Sequence, residues 1–298
     1  MQIGKLVVVG VGLIGASCAL ALRAAGAVRE VVGIGRSQAN LDDALARRIV
    51  DRAHRFDAAW AAELGDADIV LVAAPVGQFA DLFGAIAPHL ADGLVVTDAG
   101  STKGDVVAAA RAAFGARIAR FVPGHPIAGG DRSGASNATV DLFEGRNVVL
   151  TPIAETSAEA TARVAAMWAA CGARVHTLTP DDHDRVFATI SHLPHLAAFA
   201  FAAEVAARPD AAALLALAGS GFRDFTRIAA SSPEMWRDIA LANRVALRDE
   251  IARFRAALDG VDRYLAQGDA AALEALFARA AEARRRWDAS LPFADDSA

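Results

Sequence analysis

The sequence predicts an α/β domain over residues 1–179 followed by an all-α domain over 180–298. Three observations predict this. Short β-branched runs alternate with alanine-rich helical stretches through the first half, the pattern of a parallel sheet with crossover helices. The first of those runs leads directly into a G-x-G-x-x-G at 10–15. From Pro180 onward no convincing strand appears, and apolar residues recur at helical spacing instead.

Leu6 to Val9 is long enough for one buried parallel strand. Gly10-Val11-Gly12-Leu13-Ile14-Gly15 follows, and an alanine-rich helix runs from there to about Gly26. Gly10 permits a tight turn, Gly12 lets backbone approach a pyrophosphate, and Gly15 lets helix and strand pack closely. Leu13 and Ile14 open the helix, whose N-terminal amides and dipole favour phosphate. With a second strand at 31–34, the context is that of a Rossmann-type dinucleotide-binding domain. An NAD site ordinarily ends that strand on Asp or Glu, to bind the ribose hydroxyls. Here Gly35-Arg36-Ser37 stands instead. The cofactor is NADP or NAD, and Arg36 with Ser37 favours NADP by offering donors to a 2′-phosphate. The other reading is that Ser37 caps the next helix and Arg36 is simply exposed.

A strand at 68–73 ends on Ala74-Pro75-Val76, where Pro75 turns the chain near the expected nicotinamide end. A helix at 78–89 and a strand at 94–97 lead into Asp98-Ala99-Gly100-Ser101-Thr102-Lys103. This turn puts Ser101 and Lys103 at the carboxyl edge of the sheet, where open α/β sheets bind ligands. Helix capping by Ser101 or Thr102 is the alternative. The stretch Arg120–Gly130 then breaks an extended run at Pro123-Gly124 and presents His125, followed by Pro126, on an expected loop tip. A strand at 147–151, a helix at 157–171 and a strand at 174–178 complete the first domain.

In the second half, helices are expected at 183–191, 196–207 and 210–218, then one long helix from about 232 to 266 and another over 270–287. Such long apolar faces cannot all be buried on one Rossmann unit, so the helical part is expected to be the core of a homodimer. Composition bounds the partners. The net charge of −5 gives no reason to expect nucleic acid. Cys18 and Cys171 make no disulfide framework, which fits a reduced cytoplasmic setting. Of 30 basic residues only Lys5 and Lys103 are lysine, leaving 28 arginines. The uncharged run 6–22 has the look of a signal peptide or marginal span, but three glycines interrupt it, so neither export nor a membrane is expected, and no metal either.

Together these motifs resemble the prephenate/arogenate (cyclohexadienyl) dehydrogenase family of tyrosine biosynthesis. The resemblance covers nearly the whole chain. It rests on the glycine fingerprint, D-A-G-S-T-K at 98–103, G-H-P-I-A-G at 124–129, S-H-L-P-H at 191–195, and G-F-R-D-F-T-R-I-A at 221–229 followed by M-W-R-D at 235–238. It implies oxidative decarboxylation of a small cyclohexadienol by NAD(P). It also implies that His125 accepts the ring-hydroxyl proton, that Ser101 shares that contact, and that Ser191 helps to orient the histidine. Arg227 would bind the ring carboxylate, with His195 near the substrate's side-chain end. Asp131 stands where many members have a longer acid, and Arg223 where some have lysine. Both bear on whether a keto or an amino side chain is accepted. Two rival readings are a β-hydroxyacid dehydrogenase, which ordinarily needs a lysine in the helical half, and a non-catalytic NAD(P)-sensing protein.

Overall fold

The computed structural model describes residues 2–56, 60–129 and 134–290. Asp131 lies outside them. The first half reads β1 (Ile3–Val9), α1 (Leu13–Ala24), β2 (Val28–Gly35), α2 (Gln38–Ala46), β3 (Arg52–Arg55), β4 (Ile69–Val72), α3 (Phe79–Ile86), β5 (Val95–Asp98), α4 (Gly104–Phe114) and β6 (Phe121–Val122). The six strands pair in the order β3-β2-β1-β4-β5-β6, every pair parallel. The order reverses between β1 and β4, so the crevice at the carboxyl ends of those strands is the expected ligand site.

Alternation along β1 builds the two halves of the core. Leu6 and Val8 belong to one apolar cluster, with Leu22 of α1 and with Trp168. Val7 and Val9 belong to the other, with Phe79, Phe83 and Phe114. A strand covered on both sides has no polar face, which is why it reads as an unbroken apolar run. The uncharged stretch 6–22 is thus a central strand and its crossover helix, packed in the core.

A second, three-stranded sheet joins β7 (Gly124–Pro126), β8 (Asn147–Leu150) and β9 (Arg174–Thr177), with α5 (Ala158–Ala170) between the last two. His125 is therefore not on a loop tip. It sits in β7, paired antiparallel with β8 opposite Val149. Pro126 is tolerated because β7 is an edge strand. A further departure is β3, a charged segment that alternation does not reveal. It joins the sheet edge beside β2, held by Arg52 to Glu30 and Glu63.

The helical part begins with α6 (Pro180–Phe187), which passes through a π-helical turn (Ala188–His192) into α7 (Leu193–Ala206). The stop expected at 192–195 does not occur: the helix is continuous from Pro180 to Ala206, and the π turn just before Pro194 accommodates its ring and missing N–H. Then come α8 (Ala211–Ala216), α9 (Ser220–Thr226), α10 (Pro233–Ala242), α11 (Arg244–Gln267) and α12 (Ala270–Ser290). The long helix expected over 232–266 is broken at Asn243, whose side chain is used elsewhere. The chain forms two compact units, 1–247 and 248–298. Helices α6 to α10 fall in the first together with the sheets, and α12 lies in the second.

Candidate active site

The β1–α1 turn has the shape a pyrophosphate requires. Gly10 has φ +102°, and a side chain there would strike the Ala73 carbonyl. A side chain at Gly15 would strike the Gly10 carbonyl and Val8. Gly12, by contrast, would meet nothing within 4 Å, so its surface is open to a ligand. It is the N-cap of α1 and offers no side-chain cap, and the first turn, with Leu13 and Ile14 half-buried, carries no acid. Unpaired amides and the helix dipole therefore both face the turn with positive potential.

At the end of β2, Ser37 is the N-cap of α2 and accepts from the Asn40 amide at 3.4 Å, while Arg36 is exposed. Capping does not use up the hydroxyl's donor. At the end of β4, Pro75 follows in extended backbone (φ −56°, ψ 138°) and starts a 3₁₀ turn. Gly77 in that turn leaves space for Asp238 of α10, since a side chain there would come 2.8 Å from its carboxylate.

Next to this crevice, the β5–α4 loop, β7 and α6 converge. Lys103 and Asp98 are both buried and form an ion pair. Lys103 Nζ also donates to the Gly124 carbonyl at 2.7 Å, and Asp98 accepts from the Gly124 and Gly100 amides at 3.0 and 2.8 Å. The loop carrying Ser101 is thereby tied to the strand carrying His125. On the other side His125 Nδ1 lies 2.8 Å from His183 Nε2. The His125 pKa is held well below the usual histidine value by burial first, then by the repulsion that a protonated ring would meet from His183, Lys103 and His192. The ring is therefore neutral at physiological pH, the form in which it can accept a proton.

The π turn places the other two histidines. His192 is buried, with Nδ1 3.1 Å from Asn243 Nδ2, and burial lowers its pKa to about 4. Asn243 Nδ2 also donates to the Asp184 carbonyl at 2.7 Å, so the break between α10 and α11 secures the turn. His195 Nδ1 lies 2.9 Å from the Ser191 carbonyl, and its ring stacks on Trp236 at 3.8 Å. Burial lowers its pKa, and the charge of Arg227 adds to that, which places Arg227 within electrostatic reach of His195. Arg227 itself begins the 3₁₀ turn after α9, and Arg223 is exposed on α9.

Thus His125, Ser101, His195 and Arg227 belong to one corner of the molecule, with Ser191 contributing its carbonyl to His195 and His183 pairing with His125 Nδ1. Sequence reasoning passed over His183, Asp184, His192, Asn243, Asp98 and Trp236. One signal was present: three of the seven histidines, 125, 192 and 195, fall in two short motifs, and His183 lies only nine positions before His192.

The chain matches the nucleotide-binding domain of prephenate dehydrogenase over residues 18–177 and the prephenate dehydrogenase dimerization domain over 179–279. It is 34% identical over 282 residues to the prephenate dehydrogenase of Bacillus subtilis, a match that spans 94% of this chain and 75% of that one. It is 33% identical over 266 residues to the cyclohexadienyl dehydrogenase of Zymomonas mobilis, covering 89% of each. A similar solved structure is prephenate dehydrogenase from A. aeolicus in complex with hydroxyphenyl propionate and NAD+, at a TM-score of 0.90 and 32% identity, covering 97% of this chain and 99% of that one. Synechocystis arogenate dehydrogenase follows at 0.79 and 31%, covering 95% and 99%. Likeness of this extent, in sequence and in fold alike, makes the chain a member of the prephenate dehydrogenase family.

Proposed function

We propose that this chain oxidatively decarboxylates prephenate or arogenate with a nicotinamide dinucleotide, using His125 as the base. The single observation behind the assignment of the base is the half-buried His125 with a depressed pKa, tied through Gly124 to the loop that carries Ser101. A nicotinamide dinucleotide held at the Gly10–Gly15 turn would supply the hydride acceptor for the ring carbon that bears the hydroxyl. His125 accepts the hydroxyl proton as carbonyl character develops, with Ser101 sharing the oxygen. When the ring carboxylate leaves as carbon dioxide the ring becomes aromatic, and the proton returns to the phenolate oxygen. Arg227 holds the ring carboxylate, which a planar guanidinium does with two charge-assisted bonds. His195, Arg223 and Asp131 are assigned to the side-chain end of the substrate; Ser191, expected to orient His125, is assigned instead to holding His195, because His183 meets His125 Nδ1 and the Ser191 carbonyl meets His195 Nδ1. The substrate-binding half is taken to begin at residue 180.

Assaying prephenate and arogenate, each with NAD and with NADP, tests the reading. Steady nucleotide reduction with one or both substrates is expected, and none with simple β-hydroxyacids. A β-hydroxyacid dehydrogenase is disfavoured because both lysines are committed elsewhere. Lys5 pairs with Glu63 and Asp66, and Lys103 pairs with Asp98. Binding of nucleotide without any turnover would instead identify a sensor.

NADP is the proposed cofactor, because β2 ends on Gly35-Arg36-Ser37 with no acid to meet the ribose hydroxyls. Arg36→Asp should weaken NADP binding by roughly 10–100-fold, the worth of a charge-assisted bond to phosphate. NAD binding should improve in the same variant. Titration calorimetry reads both, and a wild type that prefers NAD tenfold overturns the assignment.

A homodimer is proposed as well. The span 180–206 has a mean hydropathy of 1.4 in its most apolar stretch, of which only 22% is buried within one chain. Ile190, Leu217 and Val245 are 64%, 88% and 73% exposed. Apolar exposure on this scale marks an interface. Length and hydropathy alone would let the same span cross a membrane, but its side chains also carry the histidine corner. Light scattering at micromolar concentration should give about twice the chain mass, and a stable, active monomer would rule the dimer out.

A further inference from the structure

Behind His125 runs a line of buried polar groups that hydride transfer and decarboxylation do not themselves require. His183 Nε2 meets His125 Nδ1 at 2.8 Å, and His183 Nδ1 meets Asp184 Oδ1 at 2.9 Å. Asp184 in turn accepts the Lys103 and Gly104 amides, both at 2.8 Å, at the N-terminus of α4. His183 is fully buried, and Phe187 shields both rings, with centroids 4.9 Å from His125 and 4.5 Å from His183.

The chemistry of these partners fixes where the protons lie. An ionised carboxylate only accepts, so His183 Nδ1 carries hydrogen. A neutral His183 then has a bare Nε2, which accepts from His125 Nδ1–H. His125 is left with its lone pair on Nε2. We propose that Asp184 and His183 form a positioning relay that sets the tautomer of His125, making Nε2 the nitrogen that takes the substrate's hydroxyl proton. No proton travels along the line. As the hydroxyl O–H bond breaks, its proton binds Nε2, and Asp184 steadies the resulting imidazolium through His183. The proton then goes back to the phenolate oxygen.

The ionisation states agree with the geometry. Burial pushes the Asp184 carboxyl up, but the bonds from His183, Gly104 and Lys103 outweigh it and hold it below the usual carboxylate value. Burial lowers His183, opposed by its bond to Asp184, so the ring is neutral at pH 7. The other charged or titratable groups facing the pair are Lys103 and Asp105 from α4, and His192 from the π turn. Lys103 is matched by Asp98 from β5.

The relay rests on His125 being the base, and the test separates the two ideas. Kinetics and ¹⁵N-histidine spectra of the full chain are compared for wild type, His125→Asn, His183→Leu, His183→Gln and Asp184→Asn. Wild-type His125 should appear as the Nδ1–H tautomer. His183→Leu should lower kcat roughly 10–10³-fold, within the cost of a mis-set tautomer in a His–Asp pair. Its substrate KM should stay within about threefold, since the relay makes no ground-state contact with substrate. In His183→Gln the introduced side-chain carbonyl can accept from His125 Nδ1, so kcat should recover to within about tenfold of wild type. Asp184→Asn keeps an oxygen for the Lys103 amide and His183 Nδ1–H but removes the charge that steadies the imidazolium, so kcat should fall with His183 present and the His125 tautomer retained. An Nε2–H tautomer in wild type overturns the relay, and so does a folded His183→Leu with wild-type kcat. Equal losses in His183→Leu and His183→Gln with the His125 tautomer unchanged overturn it too, by showing a packing role. If His183→Leu does not fold, the wild-type spectrum and His183→Gln decide. A fully active His125→Asn would remove the base itself, whereas an inactive His125→Asn beside fully active His183 variants removes only the relay.

Discussion

Replacing His125 with asparagine should lower kcat by about 10²–10⁴, the usual worth of a positioned general base. KM should move little, because the ground-state hydroxyl contact is a small part of substrate binding. Asparagine retains a polar group in β7, and the strand's pairing with β8 uses backbone only, so the variant should fold. The pH dependence supplies the independent check. A base works in its neutral form, and burial, together with the repulsion a protonated ring would meet from His183, Lys103 and His192, depresses the His125 pKa. Wild-type kcat should therefore hold as pH falls through about 6.5 and decline only at more acidic pH, rather than at the value of an unperturbed histidine. In His125→Asn that acid limb should vanish, leaving a flat residual rate. If the limb survives unchanged, another group is the base, and His195 becomes the leading candidate.

Removing Arg227 should act on the other kinetic constant. The ring carboxylate is charged before the reaction begins, so a guanidinium that holds it contributes to ground-state and transition-state binding alike. Losing charge-assisted hydrogen bonds of this kind costs about 1.5–3 kcal/mol. Arg227→Ala should accordingly raise KM roughly 10–100-fold, with kcat falling less. Nucleotide affinity should be unchanged, because the β1–α1 turn expected to hold the phosphates does not include Arg227. A variant with normal KM and a collapsed kcat would mean that Arg227 acts on the developing charge instead. His195 gives a local readout: without the arginine's charge, its pKa should rise.

Much of the fold was legible because its demands are local. Gly10 must take a positive φ and lie against Ala73, and Gly15 must admit β1's neighbours, so each position excludes side chains whatever the rest of the chain does. The apolar runs at 6–9, 69–72 and 94–96 follow from burial on both faces of a parallel sheet. β3 was illegible for the complementary reason. Arg52-Ala53-His54-Arg55 has no apolar alternation, and it becomes a strand by docking on β2 and pairing its charges with Glu30 and Glu63. The break at Asn243 was equally hidden. A helical pattern runs across it, and only the bonds of that side chain to Asp184 and His192 give it a purpose.

By itself, then, the sequence determined a dinucleotide-binding α/β half, a helical half, and the histidine, serine and arginine motifs that mark the family. Each is a property of a few contiguous residues and the backbone they require. Only the tertiary structure decided that His125 lies in a paired strand, and that His183 stands behind it. It alone showed that Lys103 is spent on Asp98 and Gly124, and that Asp184 both caps α4 and faces His183. Those partners lie 58 positions apart for the two histidines and 81 for Asp184 and Lys103. No local spacing encodes such pairs. They exist because the crossover topology brings the ends of β5, β7 and α6 together at one edge of the sheet, where burial makes every polar group find a partner.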